Sequence, residues 1–400
     1  MRIAVLGGGF QGCCTAIELA IRGAQVCLYD RNPVLLAGAA TANEGKIHLG
    51  YVYGGDRSLA TARMMLAGAL PFASLVQRFL DAEAPFEIAS RYVYAVHRAS
   101  LYSADEMAGY YEAVHGLITA AKGRYDYFGI DLETPPRRLN AAEQDGLFDE
   151  AHVMAAFATD EIAIDSVALA AKMQARIEHD TKIDVRLAHH VVAVEGEGDQ
   201  LTVRSTEGAG HQNDDVFDGV VNALWDGRLA IDAARGQGPG RKWVHRYKHG
   251  IRFRPAAAMS LPSVTIALGP YGDIVNYGNG AYYLSWYPVC MTAHSDAMTP
   301  PLWPKCPDEP LRSQMVDATF TAMGAIVPKL AEAHPTDIAV KGGIIFAWGA
   351  TDINDRESEL HQRHEIGVHT HGRYHSINTG KLTMAPHFAE VCADRILPKS

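Results

Sequence analysis

Several familiar signatures are missing from this 400-residue chain. Its six cysteines (Cys13, Cys14, Cys27, Cys290, Cys306 and Cys392) are scattered without a Cys-x-x-Cys pair. Neither a zinc site nor a disulfide framework is therefore expected, and reduced thiols point to the cytoplasm. No run approaches ~18 apolar residues, so no transmembrane segment is expected, and the four apolar residues after Arg2 are too few for a signal peptide. Positive charge is also short. Lys and Arg total 36 against 46 Asp and Glu, a formal charge of −10, which is the wrong field for nucleic acid or an anionic membrane surface. Eighteen histidines are present, but no His-Glu-x-x-His or comparable spacing occurs, and no metal is expected. The remainder is a globular composition, 48% hydrophobic and 20% charged, at a length that suits two domains.

The opening residues carry the strongest positive signal. Ile3-Ala4-Val5-Leu6 is a continuous apolar run, as a parallel strand buried on both faces requires. Gly7-Gly8-Gly9-Phe10-Gln11-Gly12 follows it directly. A helical pattern then runs from Thr15 to Arg22, Gly23 suits the helix end, and Gln25 to Asp30 reads as a second strand. In this order Gly7 allows a tight turn, Gly9 lets backbone approach a pyrophosphate, and Gly12 allows close packing of helix on strand. Phe10 and Gln11 open the helix, whose N-terminal N–H groups and dipole suit phosphate. Asp30 is placed for a ribose hydroxyl pair, with Arg31 beside it. Cys13 and Cys14 either pack the helix or carry a lowered pKa at its N-terminus.

A nicotinamide enzyme would continue with alternating strands and helices. Here the polar, glycine-punctuated stretch from Ala42 to Tyr51 follows instead, including Asn43-Glu44-Gly45-Lys46-Ile47-His48-Leu49-Gly50. At this point the chain resembles the D-amino-acid-oxidase superfamily of FAD-dependent oxidoreductases. Four further segments extend the resemblance over nearly the whole chain. Asp165 to Ala170 starts a helix, and His190 to Val194 and Val220 to Gly227 give strands. Tyr374 to Pro386 looks like the closing loop over the flavin. The resemblance implies FAD as cofactor, with Asn43, Gly45 and Lys46 along it and Val192 near its adenine half. It further implies Ala223, Trp225 and Gly349 as cofactor contacts, and Gly380, Lys381, Leu382 and Thr383 in the closing loop. Pro386 fits a first helical position, and Thr383 is placed to help cap that helix.

Two other stretches have a different character. Trp243 to Arg254 alternates, with His245, Tyr247, His249, Ile251 and Phe253 on one face and Arg246, Lys248, Gly250, Arg252 and Arg254 on the other. Gly278-Asn279-Gly280 separates two strand-like runs as a hairpin. The expected fold is therefore α/β: a Rossmann-like FAD-binding domain (1–75, 155–235, 335–400) interleaved with a half-exposed antiparallel-sheet α+β substrate domain (76–154, 236–334). The basic face is either an anion site or a solvated sheet face. Tyr282, Tyr283, Trp286 and Tyr287 are either a wall over the substrate or core.

These residues permit removal of a hydride from a CH–OH or CH–NH carbon of a small polar, anionic substrate such as a hydroxy acid or amino acid. His48 is the candidate general base for a hydroxyl proton, with Lys46 beside it. Packing under the flavin and covalent flavin attachment remain open for His48. Tyr51, Arg246, Lys248, Trp286 and Trp348 are candidate substrate contacts, and Thr351 is a further one in the stretch from Gly342 to Asp352. The electron acceptor would be oxygen or a carrier. A nicotinamide-dependent dehydrogenase and a non-catalytic flavin-binding subunit are the rival readings.

Overall fold

The computed structural model describes every residue except 84–85, 122–125, 209, 270, 352 and 399–400. Two sheets organise it. The first runs in the order Gly367–His371, Tyr374–Asn378, Gly219–Asn222, Arg2–Leu6, Gln25–Tyr29, Ile183–Arg186. Its edge pair at Tyr374–Asn378 is antiparallel, and the other ladders are parallel. Arg2–Leu6 lies in the middle, and Ile3 to Leu6 are wholly buried, which is why the run is apolar without alternation.

The helix Phe10–Ile21 returns over this sheet and packs against the C-terminal helix Ala385–Ile396. Cys13, Cys14 and Cys392 are buried between them, and burial pushes all three thiols up, so the cysteines at the helix start pack. Gly7 adopts φ +99°, a conformation that disfavours any side chain, and a Cβ on Gly12 would overlap the Gly7 carbonyl oxygen. Asp165 caps the helix Ser166–Glu178, accepting from the Val167 and Ala168 N–H groups. Another small sheet, His189–Glu195, Leu201–Glu207 and His211–Phe217, is antiparallel throughout.

The second large sheet runs from Met291–Ser295 through Trp243–Pro255, Tyr282–Trp286, Gly272–Asn276, Ser263–Ala267, Tyr92–His97 and Val153–Ala158 to Arg137–Arg138. Pro335–Trp348 pairs along the other edge of Trp243–Pro255. Two strands that the sequence division put wholly or mostly with the nucleotide unit, Val153–Ala158 and Pro335–Trp348, thus pair in this sheet. The hairpin at Gly278–Gly280 joins Gly272–Asn276 to Tyr282–Trp286, with Val275 opposite Tyr283. The expected solvent-facing side is the larger correction. Arg246, Lys248 and Gly250 are all buried, because the basic face turns toward the first sheet while helix Leu311–Ile326 covers the apolar face. The alternation was real, and the polar side meets an internal cavity in place of water. A two-residue ladder, Lys46–Ile47 with Ile162–Ala163, lies in the junction.

Crowding at the first turn gives a contrast that can be measured. Gly12→Ala is expected to lower the free energy of unfolding by roughly 3 kcal/mol or more, because the added methyl must displace backbone. A Cβ at Gly9 meets nothing within 4 Å, so Gly9→Ala should leave the urea midpoint nearly unchanged.

Candidate active site

Between the sheets lies a cavity of about 480 Å³. One end is built by the turn after the first strand: Gly7, Gly9, Phe10 and Gln11 line it, as do Asp30 and Arg31 at the end of the second strand. Asp30 is tied down, accepting from the Gly8 N–H (2.7 Å), the Asn32 N–H (2.7 Å) and the Asn32 side-chain amide (2.8 Å). Arg31 reaches across to Asp226 at 2.7 Å. Val192, Ala223 and Trp225 form further wall. Trp225, at φ +58°, donates its indole N–H to the Ile344 carbonyl, which fastens the turn after Gly219–Asn222 to the second sheet.

The other end is built by Asn43, Lys46, His48, Lys248, Gly380, Lys381 and Leu382. Gln11 spans the two ends. Its amide nitrogen donates to the Ala385 carbonyl at 3.2 Å, and its amide oxygen accepts from the Thr379 hydroxyl at 3.1 Å. Thr383 does not cap the last helix as expected. Its hydroxyl donates to the Lys46 carbonyl and accepts from the His48 N–H, so it pins the loop that carries His48.

A smaller chamber of about 70 Å³ adjoins this end and shares Glu44, Lys46, His48, Tyr287 and Lys381 with the large cavity. Arg246 and Arg363 line it, along with Asp273 and His361. Lys46 is 3% exposed and bonds to Asp273 (2.9 Å) and to the Thr265 hydroxyl, with its ammonium 4.2 Å from the Tyr92 ring centroid. Lys248 lies 4.0 Å from Glu44 and 3.9 Å from Asp273. Burial works against ionised Glu44, but Lys248, Lys381 and Lys46 hold its pKa down to about 2. Burial and the neighbouring Arg246 lower Arg363 to about 10. It donates to the Phe346 carbonyl at 3.2 Å, and no carboxylate among the described residues pairs with it. Burial, Arg363 and Lys248 also lower Lys381, against the pull of Glu44. The chamber is lined by four basic side chains, Lys46, Arg246, Arg363 and Lys381, against two carboxylates, Glu44 and Asp273.

His48 is 3% exposed. Burial, Lys381 and Lys46 keep its pKa well below the ordinary value, with Asp273 opposing, so the imidazole is neutral at physiological pH. Its Nδ1 is sealed from solvent and lacks a hydrogen-bond partner, which leaves Nε2 as the nitrogen open to the cavity.

Other residues singled out from the sequence lie elsewhere. Tyr51 is core, edge-on to Tyr94 and Tyr111. Trp286 packs beside Gly272 and Met323 under the covering helix, because it shares strand parity with the core residue Leu284. Trp348 shares parity with Phe346, opposite to cavity-lining Ile345, and donates to the Glu365 carbonyl. Gly349 turns at φ +109° against Glu359, and Thr351 bonds Ser358. Asp352 lies outside the described residues. Gly45 lets backbone pass the Ile164 carbonyl, and Gly12 packs behind the turn. Of the tyrosine cluster, Tyr287 lines both cavities and Tyr283 approaches Lys248, while Tyr282 stacks on Phe253 in the core. The sequence reading missed Asp273, Arg363 and Glu161. An aspartate inside the apolar strand Gly272–Asn276 was a usable signal, whereas Arg363 sits in a loop with no pattern.

The large cavity fits an extended dinucleotide. Gly9 leaves open space where a side chain would intrude, and the N-terminus of a twelve-residue helix opens beside it. Comparison with known proteins agrees. Among curated protein sequences nothing matches the chain. Glycine oxidase from Geobacillus kaustophilus is similar in structure, with TM-score 0.72 at 15% identity over 100% of this chain and 95% of that one. NikD, an amino acid oxidase essential for nikkomycin biosynthesis, gives 0.71 at 14% over 100% and 94%. L-α-glycerophosphate oxidase from Mycoplasma pneumoniae, with FAD bound, gives 0.64 at 15% over 98% and 94%. At these identities the likeness shows a shared fold. The profile of the family described as "DAO: FAD dependent oxidoreductase" matches residues 2–395, and the chain therefore belongs to the DAO family of FAD-dependent oxidoreductases, with FAD as its cofactor.

Proposed function

We propose that the protein oxidises a CH–OH carbon of a small anionic substrate, a hydroxy acid being the best fit. The observation that carries this reading is a neutral, buried His48 beside a recess lined by Arg246, Arg363 and Lys381. Bound FAD supplies the acceptor for the hydride. An alcohol must also lose its hydroxyl proton, and His48 Nε2 is the unprotonated group available to take it. The carbon–hydrogen bond breaks with its electron pair leaving as hydride, the O–H bond yields its proton to His48, and a carbonyl forms. Arg363 and Lys381 hold the substrate anion, which relieves repulsion among cations already confined there. Lys46, fixed against Asp273, keeps the loop and its histidine in place. Tyr287 excludes water from the side shared by the two cavities. Oxygen or a carrier would reoxidise the flavin. No helix among the described residues is long and apolar enough to cross a membrane, and the free cysteines support a reducing compartment, the cytoplasm.

Anaerobic mixing of the yellow protein with 2-hydroxy acids, polyol phosphates, amino acids and N-methyl amino acids tests the bond type. Bleaching by hydroxy compounds alone is expected, and bleaching by amino acids alone would reject the reading. His48→Asn should retain the flavin spectrum and slow bleaching by ~100-fold or more. An unchanged rate would remove His48 from the chemistry. Arg363→Met should weaken substrate binding by roughly 10- to 100-fold, the scale of one lost charge-assisted hydrogen bond, with bound flavin unaltered. In the wild type, protonation of His48 should leave bleaching unaffected around neutrality and slow it only at pH well below the ordinary imidazole range, because the His48 pKa is held well below that range. The groups facing His48 are Lys46, Lys381, Asp273 and Glu161, and none of them replaces the base once the imidazole takes a proton.

A further inference from the structure

Glu161 is fully buried at the end of the strand ladder in the junction between the sheets. Ile47 pairs with Ile162 in antiparallel register, so the next residues outward, His48 and Glu161, face one another across the same ladder. Glu161 Oε1 lies 4.0 Å from His48 Nδ1, the buried nitrogen without a partner. Its other contacts are fixed. The Tyr94 hydroxyl donates to Oε1, and the Leu49 N–H donates to Oε2 at 2.6 Å. The backbone N–H of His48 is held at 3.1 Å by Thr383, so the imidazole is anchored at its root with the Glu161 carboxylate beside Nδ1. A buried donor without a partner is costly, and a small ring rotation toward Oε1 removes that cost.

We propose that Glu161 is a positioning residue that fixes the tautomer of His48, taking the Nδ1–H bond and so keeping Nε2 unprotonated toward the cavity. This rests on the reading of His48 as the base and explains how a neutral histidine there has its free lone pair on the useful side. Without a partner at Nδ1 the proton could sit on either nitrogen, and the form with Nε2–H cannot accept a proton from substrate. Tyr94 and the Leu49 N–H steady the carboxylate in turn. Burial lifts its pKa to about 7, against Lys46, Tyr94, Leu49 and Gly50, so it is ionised on the alkaline side of neutrality.

The geometry makes a sharp forecast for Glu161→Gln. The Leu49 N–H can only donate, so the amide oxygen of the variant must occupy the Oε2 position, and the NH₂ group then occupies the Oε1 position. There it donates to His48 Nδ1, while the Tyr94 hydroxyl turns to accept. The tautomer is inverted. Nitrogen-15 NMR of the FAD-loaded full chain with labelled histidine, at pH about 8.5 and with His48 assigned from His48→Asn, reads this without any substrate. Wild type should show a pyridine-type Nε2, and Glu161→Gln should show a pyrrole-type Nε2 with the flavin spectrum retained. A protonated Nε2 in the wild type overturns the proposal whether or not the variant folds. An Nε2 signal that stays pyridine-type in the folded variant overturns it as well. Failure of the base reading is seen separately, as bleaching by substrate that survives His48→Asn.

Discussion

The buried ion pair between Lys46 and Asp273 is the constraint on which the site depends. Lys46 leaves the first sheet's side of the molecule and finds its counter-ion, Asp273, and its hydroxyl partner, Thr265, on two neighbouring strands of the second sheet. Taking both charges out of water costs several kcal/mol per ion before their attraction is counted. Such a pair is therefore weak as a stabiliser and strong as a locator, since either charge left alone is far worse than the two together. The contact sets the path of the chain from Glu44 to Gly50, and with it the positions of Glu44, His48 and the short ladder to Ile162–Ala163. The placement of His48 and the registration of the two sheets rest on one interaction.

The recess itself is electrostatically one-sided. Lys46 and Lys248 lie against Asp273 and Glu44, while Arg363 and Lys381 have no carboxylate of the described residues in salt-bridge contact. Burial lowers the pKa of both groups, with Arg246 adding to the effect on Arg363, and Arg363 and Lys248 adding to it on Lys381. Burial first, and then Lys381 and Lys46, keep the His48 pKa low, so the proposed base and the proposed anion site share Lys381.

Local signals were readable in the sequence, and signals that depend on which face meets which were not. Gly7 to Asp30 was legible because strand, turn and helix there are short-range and each glycine has a steric reason. The alternation of Trp243–Pro255 was equally legible, but alternation fixes two faces without saying what covers each. That is why Arg246 and Lys248 were left between water and a site, and why Trp286 and Trp348 were placed with the substrate although strand parity sends both away from it. Thr383 shows a related limit. Its position before a helix suggests a cap, and a loop more than 300 residues away in the chain uses its hydroxyl instead. Arg363 and Glu161 come from segments with no periodic pattern. Their role exists only after distant strands have brought them to His48 and Lys381.

The two bonds of Gln11, to Thr379 and to Ala385, carry a consequence for biogenesis. They join the helix at the phosphate end of the cavity to a segment 374 positions later. A ribosome-bound chain that has made the first strand, its glycine turn and its helix holds a nucleotide-binding motif that nothing closes. Neither the parallel neighbour Gly219–Asn222 nor the Gly380–Leu382 wall yet exists. A closed cofactor cavity therefore requires that the chain has been made through Ala385. Until then the apolar surface of Phe10–Ile21, which the helix Ala385–Ile396 covers in the folded protein, lacks that partner.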